Sequence, residues 1–548
     1  MLPAKSKDAP KQRSFALSRF ALTFLTSLFI MAAHNQTFWE RLYVALGDHP
    51  VSMALFGLCI FVAQTFLITL ITPGPLLRPV LALLLVVSAV TSYYQDRLGA
   101  TIDREMIQNA LTTTVTESKH LITLPFVLRL VLLGLVPAVF VLWCPLRRSG
   151  FVRSALGWVG SAALYFAIFA VALYSDAKTL MSAGREHQEV TSAIQPFTPA
   201  RGLYRYISMV MKEPLVVVPY GTDAKPGDGL AGVDKPVLIV LWVGETARAQ
   251  SWGLNPGAPD TAPETGAIPG LINFTQTESC GTATAVSMPC MFSHLTRPEY
   301  SHEGGLGSEN LLDVMARAGF DVEWWDNNTG DKQIADRQKV HYISERSDPE
   351  FCGRGECIDG VFLKLIEEKA QTITKNTVLV LHQIGSHGPS YWLRYPENWD
   401  KAAKPDCQTP DLAKCKQDEL FNAYENTLRY TDWVVAQSIK IVDAADRVIP
   451  MVFYASDHGE SLGEGGLYLH GAPWFMAPET QTRVPMFFWM ADRYKSGLGL
   501  DDACIAKKSD LPVSHDFIFS TVLGLANIET EVRQPELDLT QDCTKVAQ

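Results

Sequence analysis

The sequence predicts two structural parts, an α-helical membrane domain followed by an α/β sandwich domain. The chain has 548 residues, more than one compact core usually accommodates. Long, nearly uncharged apolar runs crowd the first 175 residues, whereas most charged residues lie downstream. After residue 235, short apolar runs alternate with helical segments. We therefore predict a transmembrane domain over residues 1–178, interfacial helices and a linker over 179–234, and an exported soluble domain over 235–548.

Five apolar segments are predicted to cross the membrane as helices, because a bilayer core requires about 20 apolar residues. They cover residues 16–33, 51–72, 76–94, 130–144 and 155–174. The third and fourth are short and rely on Arg78 and Arg129 extending from their ends toward the headgroups. The first could instead be a cleaved signal peptide, since basic residues precede it and Ala32 and Ala33 end it. We expect an uncleaved anchor, because four further segments follow it.

The basic residues predict the orientation of the five crossings. One side of the membrane would hold the amino-terminal leader, Arg78, Arg147, Arg148 and Arg153. The other side would hold loops 34–50 and 95–120, in which charges of both signs are mixed. The positive-inside rule then places the amino terminus in the cytoplasm and everything after residue 174 outside.

The net charge of −11 argues against nucleic acid as a partner, because phosphate backbones select basic surfaces. The sequence indicates no obligate protein partner and does not specify the oligomeric state. The composition of the chain instead indicates association with a membrane.

The cysteines independently predict an exported second domain. Cys59 and Cys144 lie in predicted spans, whereas eight others follow residue 175. An even number of cysteines in an exported domain favours disulfides. Short separations favour the pairs 280–290, 352–357 and 407–415, which leaves 504–543. A thiolate metal cluster is the alternative, but the sequence contains no Cys-x-x-Cys pair.

The soluble part begins with a connector and continues as an α/β pattern. Residues 203–212 form an amphipathic piece that could lie on the membrane surface, and residues 219–232 resemble a Pro/Gly-rich linker. Strands are predicted over 236–243, 320–325, 377–381 and 448–454. Helices are predicted over 311–318, 361–369 and 420–444. Because the strands are continuously rather than alternately apolar, we expect a parallel sheet with helices on both faces.

Polar residues follow each of the four predicted strands. They include Glu245, then Asn328 and Lys332, then His387, and finally Asp457 and His458. Ligands bind beyond the carboxyl ends of strands in open α/β sheets, so these groups are expected to converge. Glu245, Asp457 and His458 offer the oxygen and nitrogen donors that suit zinc. Asp457 could alternatively cap a helix. His470 could be a further metal ligand or a phosphate contact, and the alternative is that it lies on the surface.

The segment from Cys280 to Cys290 is suited to presenting the hydroxyl of Thr284. Small residues surround Thr284, and the flanking cysteines could hold the loop rigid. A helix that begins here would favour a bound phosphate. A threonine hydroxyl needs a base or a metal to become a good nucleophile, and an ordinary capping threonine is the alternative interpretation.

Five motifs together resemble the lipid A phosphoethanolamine transferases, a group that includes the chromosomal and mobile colistin-resistance enzymes. They are Gly-Glu-Thr-Ala-Arg at 244–248, Cys-Gly-Thr-Ala-Thr-Ala at 280–285, His-Gly-Pro at 387–389, Ser-Asp-His-Gly-Glu-Ser-Leu-Gly at 456–463 and Tyr-Leu-His-Gly at 468–471. The family belongs to the alkaline-phosphatase/sulfatase superfamily, so the resemblance implies an alkaline-phosphatase-like sandwich. The resemblance extends over nearly the whole chain.

The resemblance also implies roles for individual residues. Zinc would be held by Glu245, Thr284, Asp457 and His458, with Thr284 carrying the phosphoryl group. Contacts to that group or to a second metal would come from Lys332, His387 and His470, and contacts to the substrate from Asn109, Thr113, Glu117 and Asn328.

The implied reaction moves phosphoethanolamine from phosphatidylethanolamine to lipid A by double displacement. The implied location is the inner membrane of a Gram-negative bacterium, with the soluble domain in the periplasm, and the implied consequence is polymyxin resistance. Alternative acceptors are core heptose and periplasmic glucan. A phosphoglycerol transferase and a non-enzymatic adhesin or sensor are further alternatives. A sulfatase is disfavoured, because the residues from Thr284 to Val286 do not offer a Cys/Ser-x-Pro-x-Arg sequence.

Overall fold

A computed structural model describes residues 16–112, 119–147, 150–211, 216–346, 348–353 and 356–544. The chain forms two compact units. The first comprises residues up to 99 together with 124–201, and the second comprises 100–123 together with 202 onward. Loop 100–123 therefore groups with the second unit by its contacts, and the predicted boundaries at 178 and 234 stay a prediction.

The helices of the described residues occur throughout the chain. In order they are α1 (Arg19–Ala33), α2 (Gln36–Leu46), α3 (Pro50–Ile71), α4 (Leu77–Leu98), α5 (Arg104–Thr112), α6 (Leu124–Arg129), α7 (Val136–Trp143), α8 (Phe151–Ser175), α9 (Ala177–Glu186), α10 (Gln188–Thr191), α11 (Phe197–Val210), α12 (Asp228–Gly232), α13 (Pro263–Gly266), α14 (Thr284–Met291), α15 (His302–Leu306), α16 (Leu311–Arg317), α17 (Val361–Thr372), α18 (Gln417–Asp443), α19 (Glu479–Thr482), α20 (Asp492–Leu498), α21 (Asp502–Ala506) and α22 (Asp516–Leu525).

Four stretches of the first unit are long and apolar enough to cross a membrane, among the residues that the structure describes. They are Pro50–Ile71, Gly74–Leu98, Leu124–Trp143 and Phe151–Ser175. The third runs through a π-helical turn at Leu130–Leu135 between α6 and α7. The protein is thus a multi-pass membrane protein.

The prediction of five spans is not met, because the first predicted segment forms only the 15-residue helix α1. At 1.5 Å per residue, α1 is about 22 Å long and falls short of the roughly 30 Å of a hydrocarbon core. The sequence pattern overestimated the segment at its start, where Ser18 caps the helix by accepting a hydrogen bond from the Ala21 N–H. Within the unit, α1 still packs against α3 and α4.

The two arginines at the ends of short predicted spans have partners inside the first unit. Arg129 forms an ion pair with Asp96 of α4, and Arg78 donates to the Cys144 carbonyl. Neither cation therefore relies on lipid headgroups alone for its hydrogen bonds.

The second unit is built on a seven-stranded sheet. Its order is Ile272–Phe274 (β3), Met486–Met490 (β13), Ile449–Ser456 (β10), Val237–Gly244 (β2), Thr377–His382 (β9), Asp321–Asp326 (β5) and Lys339–Tyr342 (β6). The short strands outside it are β1 (Lys225–Pro226), β4 (Thr277–Glu278), β7 (Cys352–Gly353), β8 (Glu356–Cys357), β11 (Ser461–Leu462), β12 (Tyr468–Leu469), β14 (Val513–Ser514) and β15 (Ile528–Glu529). The four predicted strands, now β2, β5, β9 and β10, run parallel, whereas β13 is antiparallel to β10.

Helices cover both faces of this sheet. On one face, Trp242 of β2 donates its indole N–H to Ser438 of α18 and meets Phe362 of α17 edge to face. Trp242 shares this face with Trp325 of β5, because both are in register with Leu381. Trp324 points to the opposite face, where it packs against Phe292 at the end of α14. The predicted α/β sandwich is confirmed.

Four disulfides close loops in the second unit. They join Cys280 to Cys290, Cys352 to Cys357, Cys407 to Cys415 and Cys504 to Cys543, as predicted. Cys59 and Cys144, in the first unit, are free and buried.

Candidate active site

Two neighbouring strands deliver the central carboxylates of the site. β2 and β10 are parallel and in register, with Ser456 opposite Gly244. The next residue on each strand is a carboxylate, so Glu245 and Asp457 leave the sheet side by side. The Asp457 N–H donates to the Gly244 carbonyl over 2.9 Å and fixes this arrangement.

Glu245, Asp457 and His458 form a fully buried cluster. His458 Nε2 lies 3.4 Å from Glu245 Oε1 and 3.3 Å from Asp457 Oδ2, and one donor atom from each residue lies within 4.8 Å of the others. His458 Nδ1 donates to the Gly459 carbonyl over 2.9 Å, so its Nε2 lone pair faces the cluster. Asp457 Oδ2 is buried and has no hydrogen-bond partner among the described residues. Burying an oxygen without a hydrogen-bond partner lowers the stability of the fold. The donor atoms of Glu245, Asp457 and His458 together suit a zinc ion.

Thr284 completes the cluster as the first residue of α14. Its Oγ1 lies 3.3 Å from each carboxylate oxygen of Glu245 and 3.2 Å from His458 Nε2. Ala283 precedes it in an extended conformation, so the helix begins at the hydroxyl-bearing residue. The free N–H groups of this helix end favour an anion such as a phosphoryl group.

The electrostatics of the cluster require a cation or a proton. Burial and the neighbouring Glu245 charge raise the pKa of Asp457 well above its usual range. Burial opposes ionisation of Glu245 too, but the nearby His382 and the other histidines around the cluster hold the pKa of Glu245 well below its usual range. Burial and the neighbouring His470 lower the pKa of His458 to about 3. A divalent cation would neutralise both carboxylates while it leaves His458 deprotonated as a ligand.

His382 lies beside the cluster, and the sequence analysis assigned it no role. Its Nδ1 contacts Asp326 Oδ2 at 2.7 Å, and its Nε2 faces Glu245 Oε2 at 3.9 Å. Burial opposes its protonation, but the Asp326 charge raises the pKa of His382 to about 9. Its position at the end of β9, in register with the end of β2, is the signal that could have identified it.

Asn328 lies beside Glu245. Its Nδ2 donates to Glu245 Oε2 and to the Gln383 carbonyl, both over 2.8 Å. Asn328 therefore orients one oxygen of Glu245, which is a contact that its predicted substrate-binding role did not include.

Two predicted histidines lie next to the cluster. The His470 ring centroid is 4.3 Å from that of His458, and the His387 ring centroid is 5.5 Å from that of His470. His470 Nδ1 contacts Glu460 Oε2 at 2.9 Å, and Tyr391 donates to the other oxygen of Glu460 over 2.5 Å. Glu460 and Tyr391, which the sequence analysis also missed, hold His470 in a defined orientation.

The remaining predicted residues are placed less directly. Lys332, on the loop after β5, donates to the carbonyl and the hydroxyl of Thr329, both over 2.7 Å. Asn109 lies on α5, which packs against α14 within the second unit. Gly471, the residue after His470, lies close to α5. A Cβ added to Gly471 would be 3.0 Å from the methyl carbon of Met106 on that helix. Thr113 and Glu117 lie outside the described residues.

Two family models match the chain. The model described as Sulfatase matches residues 237–528, which contain Glu245, Thr284, Asp457 and His458. The model described as Phosphoethanolamine transferase EptA/EptB matches residues 60–210. Together they cover most of both compact units.

Known proteins match nearly the whole chain. Phosphoethanolamine transferase EptA of Salmonella typhimurium is 35% identical over 97% of this chain and 98% of its own length. Phosphatidylethanolamine transferase Mcr-2 of Escherichia coli is 35% identical over 94% of this chain and 96% of its own. The solved integral membrane lipooligosaccharide phosphoethanolamine transferase A of Neisseria meningitidis is 32% identical, covers 97% of this chain and 100% of its own, and has a TM-score of 0.92. The chain therefore belongs to the phosphoethanolamine transferase family.

Proposed function

We propose that this enzyme transfers phosphoethanolamine from phosphatidylethanolamine to a phosphate of lipid A through a phosphothreonine at Thr284. One observation carries the proposal: the buried Thr284 hydroxyl lies 3.2–3.3 Å from both a carboxylate and an imidazole, at the beginning of a helix. A hydroxyl in that position has the contacts that a nucleophile requires. The names of the EptA and Mcr-2 relatives agree with the transferred group.

Zinc is held in this proposal by Glu245, Asp457, His458 and Thr284. The unpartnered Asp457 Oδ2 and the lone pair of His458 Nε2 support this ligand set. When bound, the ion supplies Lewis-acid chemistry that lowers the pKa of the coordinated hydroxyl and offsets negative charge on the phosphoryl oxygens.

The first displacement forms the covalent intermediate. Thr284 Oγ1 attacks the phosphorus of phosphatidylethanolamine, the bond from phosphorus to the diacylglycerol oxygen breaks, and the hydroxyl proton of Thr284 passes to solvent. His387 or His470 gives a proton to the departing alkoxide, so diacylglycerol leaves as the neutral alcohol.

In the second displacement, an oxygen of a lipid A phosphate attacks the phosphothreonine. The bond from phosphorus to Thr284 Oγ1 breaks, and Thr284 and the histidine that protonated diacylglycerol each regain a proton from solvent. Lys332 and Asn328 contact the phosphoryl group, whereas Asn109, Thr113 and Glu117 bind the donor headgroup. Positioning and charge stabilisation contribute most of the catalysis in reactions of this kind.

The proposed location is the inner membrane of a Gram-negative bacterium, with the catalytic unit in the periplasm. The disulfides support an oxidising compartment. Modification of lipid A would confer resistance to polymyxin and colistin, because added ethanolamine reduces the negative charge that cationic peptides recognise.

Mass spectrometry tests the nucleophile and the acceptor separately. Purified enzyme incubated with phosphatidylethanolamine and no acceptor should carry phosphoethanolamine on the peptide that contains Thr284, and Thr284→Ala should not. Lipid A from cells that produce the enzyme should gain phosphoethanolamine. Addition to core heptose or to periplasmic glucan instead would replace lipid A as the acceptor.

A further inference from the structure

His515 lies between the nucleophile loop and the end of β10, and neither the predicted site nor the proposed mechanism uses it. It precedes α22 and is 1% exposed. Its Nδ1 accepts the Cys280 N–H over 3.1 Å, and its Nε2 lies 3.0 Å from the Ser456 carbonyl. Because a carbonyl only accepts, Nε2 carries the proton, and both ring nitrogens are used.

The imidazole is therefore a neutral bridge between two segments that carry zinc-site residues. Cys280 begins the loop that leads to Thr284, and Ser456 directly precedes Asp457. Burial lowers the pKa of His515 to about 4, which keeps Nδ1 free to accept the Cys280 N–H at neutral pH. A protonated ring would lose this acceptor.

Ser287 forms a second tie between the same segments. It lies one turn after Thr284 on α14 and donates to the Asp457 carbonyl. Its Oγ also lies 3.5 Å from His515 Nδ1. The loop is thus joined to β10 on both sides of Thr284.

The disulfide alone does not provide this restraint. The bond between Cys280 and Cys290 closes the loop on itself, but it does not join the loop to the sheet. Glu245 and Asp457 follow strands of the sheet, so the position of Thr284 relative to them depends on contacts other than the disulfide, and those of His515 and Ser287 lead directly to the end of β10.

We propose that His515 is a positioning residue that sets the distance between the Thr284 hydroxyl and the Glu245–Asp457–His458 cluster. The inference rests on Thr284 being the nucleophile of the proposed function. Transfer requires Thr284 Oγ1 to be in place for both displacements, and a misplacement of about 1 Å can lower a rate roughly 100-fold. His515 touches neither substrate nor metal in this assignment, so its effect on the reaction passes through the loop.

Two conservative variants distinguish the two hydrogen bonds of His515. The asparagine oxygen in His515→Asn takes the place of Nδ1 and can still accept the Cys280 N–H. The glutamine nitrogen in His515→Gln takes the place of Nε2 and can still donate to the Ser456 carbonyl. If His515 acts by holding the loop, the asparagine variant should retain far more activity than the glutamine variant.

The experiment uses the full-length enzyme in detergent with a fluorescent phosphatidylethanolamine as donor and purified lipid A as acceptor. His515→Ala should lower kcat about 100-fold while it leaves KM for the donor within about 2-fold and zinc content unchanged. His515→Asn should recover to within about 10-fold of the wild type, and His515→Gln should stay near the alanine variant. Ser287→Ala should also lower kcat with little change in KM. If the alanine variant does not fold, the comparison of asparagine with glutamine decides.

Several results would overturn the inference. One is a kcat unchanged in all His515 variants. Another is activity that simply follows thermal stability, with asparagine and glutamine equal. A rise in KM alone would place His515 in donor binding instead. Thr284→Ala measured in parallel separates the two proposals: full transfer by that variant refutes the proposed function, whereas its loss together with unaffected His515 variants refutes only the positioning role.

Discussion

Asp359 and Asp457 are both buried carboxylates at the carboxyl edge of one sheet, but their oxygens are used differently. Asp359 accepts from Asn327 Nδ2 and from the Ile384 and Gly385 N–H groups at 2.9–3.0 Å, so both of its oxygens have donors. Asp457 Oδ1 accepts the Thr246 and His458 N–H groups, whereas its Oδ2 accepts none from the described residues.

This contrast separates a structural carboxylate from a candidate metal ligand. Burial raises the pKa of both groups, so burial and an altered pKa do not distinguish them. The absence of a hydrogen-bond donor to Asp457 Oδ2 does distinguish them, because the fold leaves this oxygen available for a cation at a cost in stability. Three of the four predictions below pair a group at or near the reactive cluster with a comparable group elsewhere in the second unit.

The largest contrast is expected between two threonines of one loop. Thr284→Ala should lower transfer at least about 1,000-fold, because the nucleophilic oxygen is removed. Thr282 is also buried, but its hydroxyl donates to the Ala472 carbonyl, so Thr282→Ala should cost far less activity. Steady-state transfer of fluorescent phosphatidylethanolamine by the two full-length variants measures the difference. Equal losses would contradict Thr284 as the nucleophile.

The two aspartates should respond in opposite ways. Asp457→Asn should lose zinc and lower transfer by about 100-fold or more, while the metal-free protein keeps its stability. Asp359→Asn should retain zinc but lower the free energy of unfolding by about 2 kcal/mol, since an amide nitrogen would then face an N–H donor. Elemental analysis and urea unfolding of a fragment covering residues 216–548 test both. Zinc retained by a variant that lacks both Glu245 and Asp457 would refute the ligand set.

The pH dependence of the free energy of unfolding should show that His515 is buried and neutral in the folded protein. Its pKa is about 4 in the folded protein, below its ordinary value of 6.5, so the unfolded chain binds more protons between these values. The contribution of the neutral His515 to the free energy of unfolding is therefore complete above pH 6.5 and is lost as the pH falls toward 4. The loss at pH 5 is about 2 kcal/mol. The same fragment carrying His515→Asn should lack this component. Parallel pH profiles for the wild type and the variant would contradict a buried neutral His515.

The smallest contrast is expected between two disulfides. Replacing Cys280 and Cys290 by serine should lower kcat about 10-fold, because the loop that carries Thr284 loses its closure. Replacing Cys352 and Cys357 should leave kcat within about 2-fold and affect stability only, by at most about 2–3 kcal/mol. Activity of both variants relative to the wild type, together with melting temperatures, tests this. A larger loss of kcat in the second variant would place its hairpin in the reaction.

The sequence was most informative where the physical pattern was local. Continuous apolar runs identified β2, β9 and β10 to within one or two residues, because strands buried on both faces are apolar along most of their length. The strand β5 was located as closely, although it contains Asp321 and Glu323. The antiparallel strand β13 was not identified, although it is just as apolar. The extent of the first span was misjudged too, since apolarity does not show where a helix begins.

The residues of the site were likewise predictable where the pattern in the sequence was local. Glu245, Asp457, His458 and Thr284 could be named from strand ends and motifs, and the structure brings them together. The roles of His382 and His515 were missed because their partners are distant along the chain, whereas Glu460 was missed although it contacts His470 only 10 residues away. His382 meets Asp326 across 56 residues, and His515 meets Cys280 across 235. No local pattern encodes such pairs.

The long separation along the chain of the residues around the proposed zinc site has a consequence for how the enzyme matures. Thr284 meets His458 across 174 residues, and Thr246 meets Asp457 across 211. Contacts of such high sequence separation form late in folding, after loop-closure entropy has been overcome. A chain synthesised only as far as β9 would lack Asp457 and His458, so zinc uptake should report that the central sheet is complete. Metal loading would then act as a checkpoint on assembly, and a chain that stalls before β10 would stay inert rather than partly reactive.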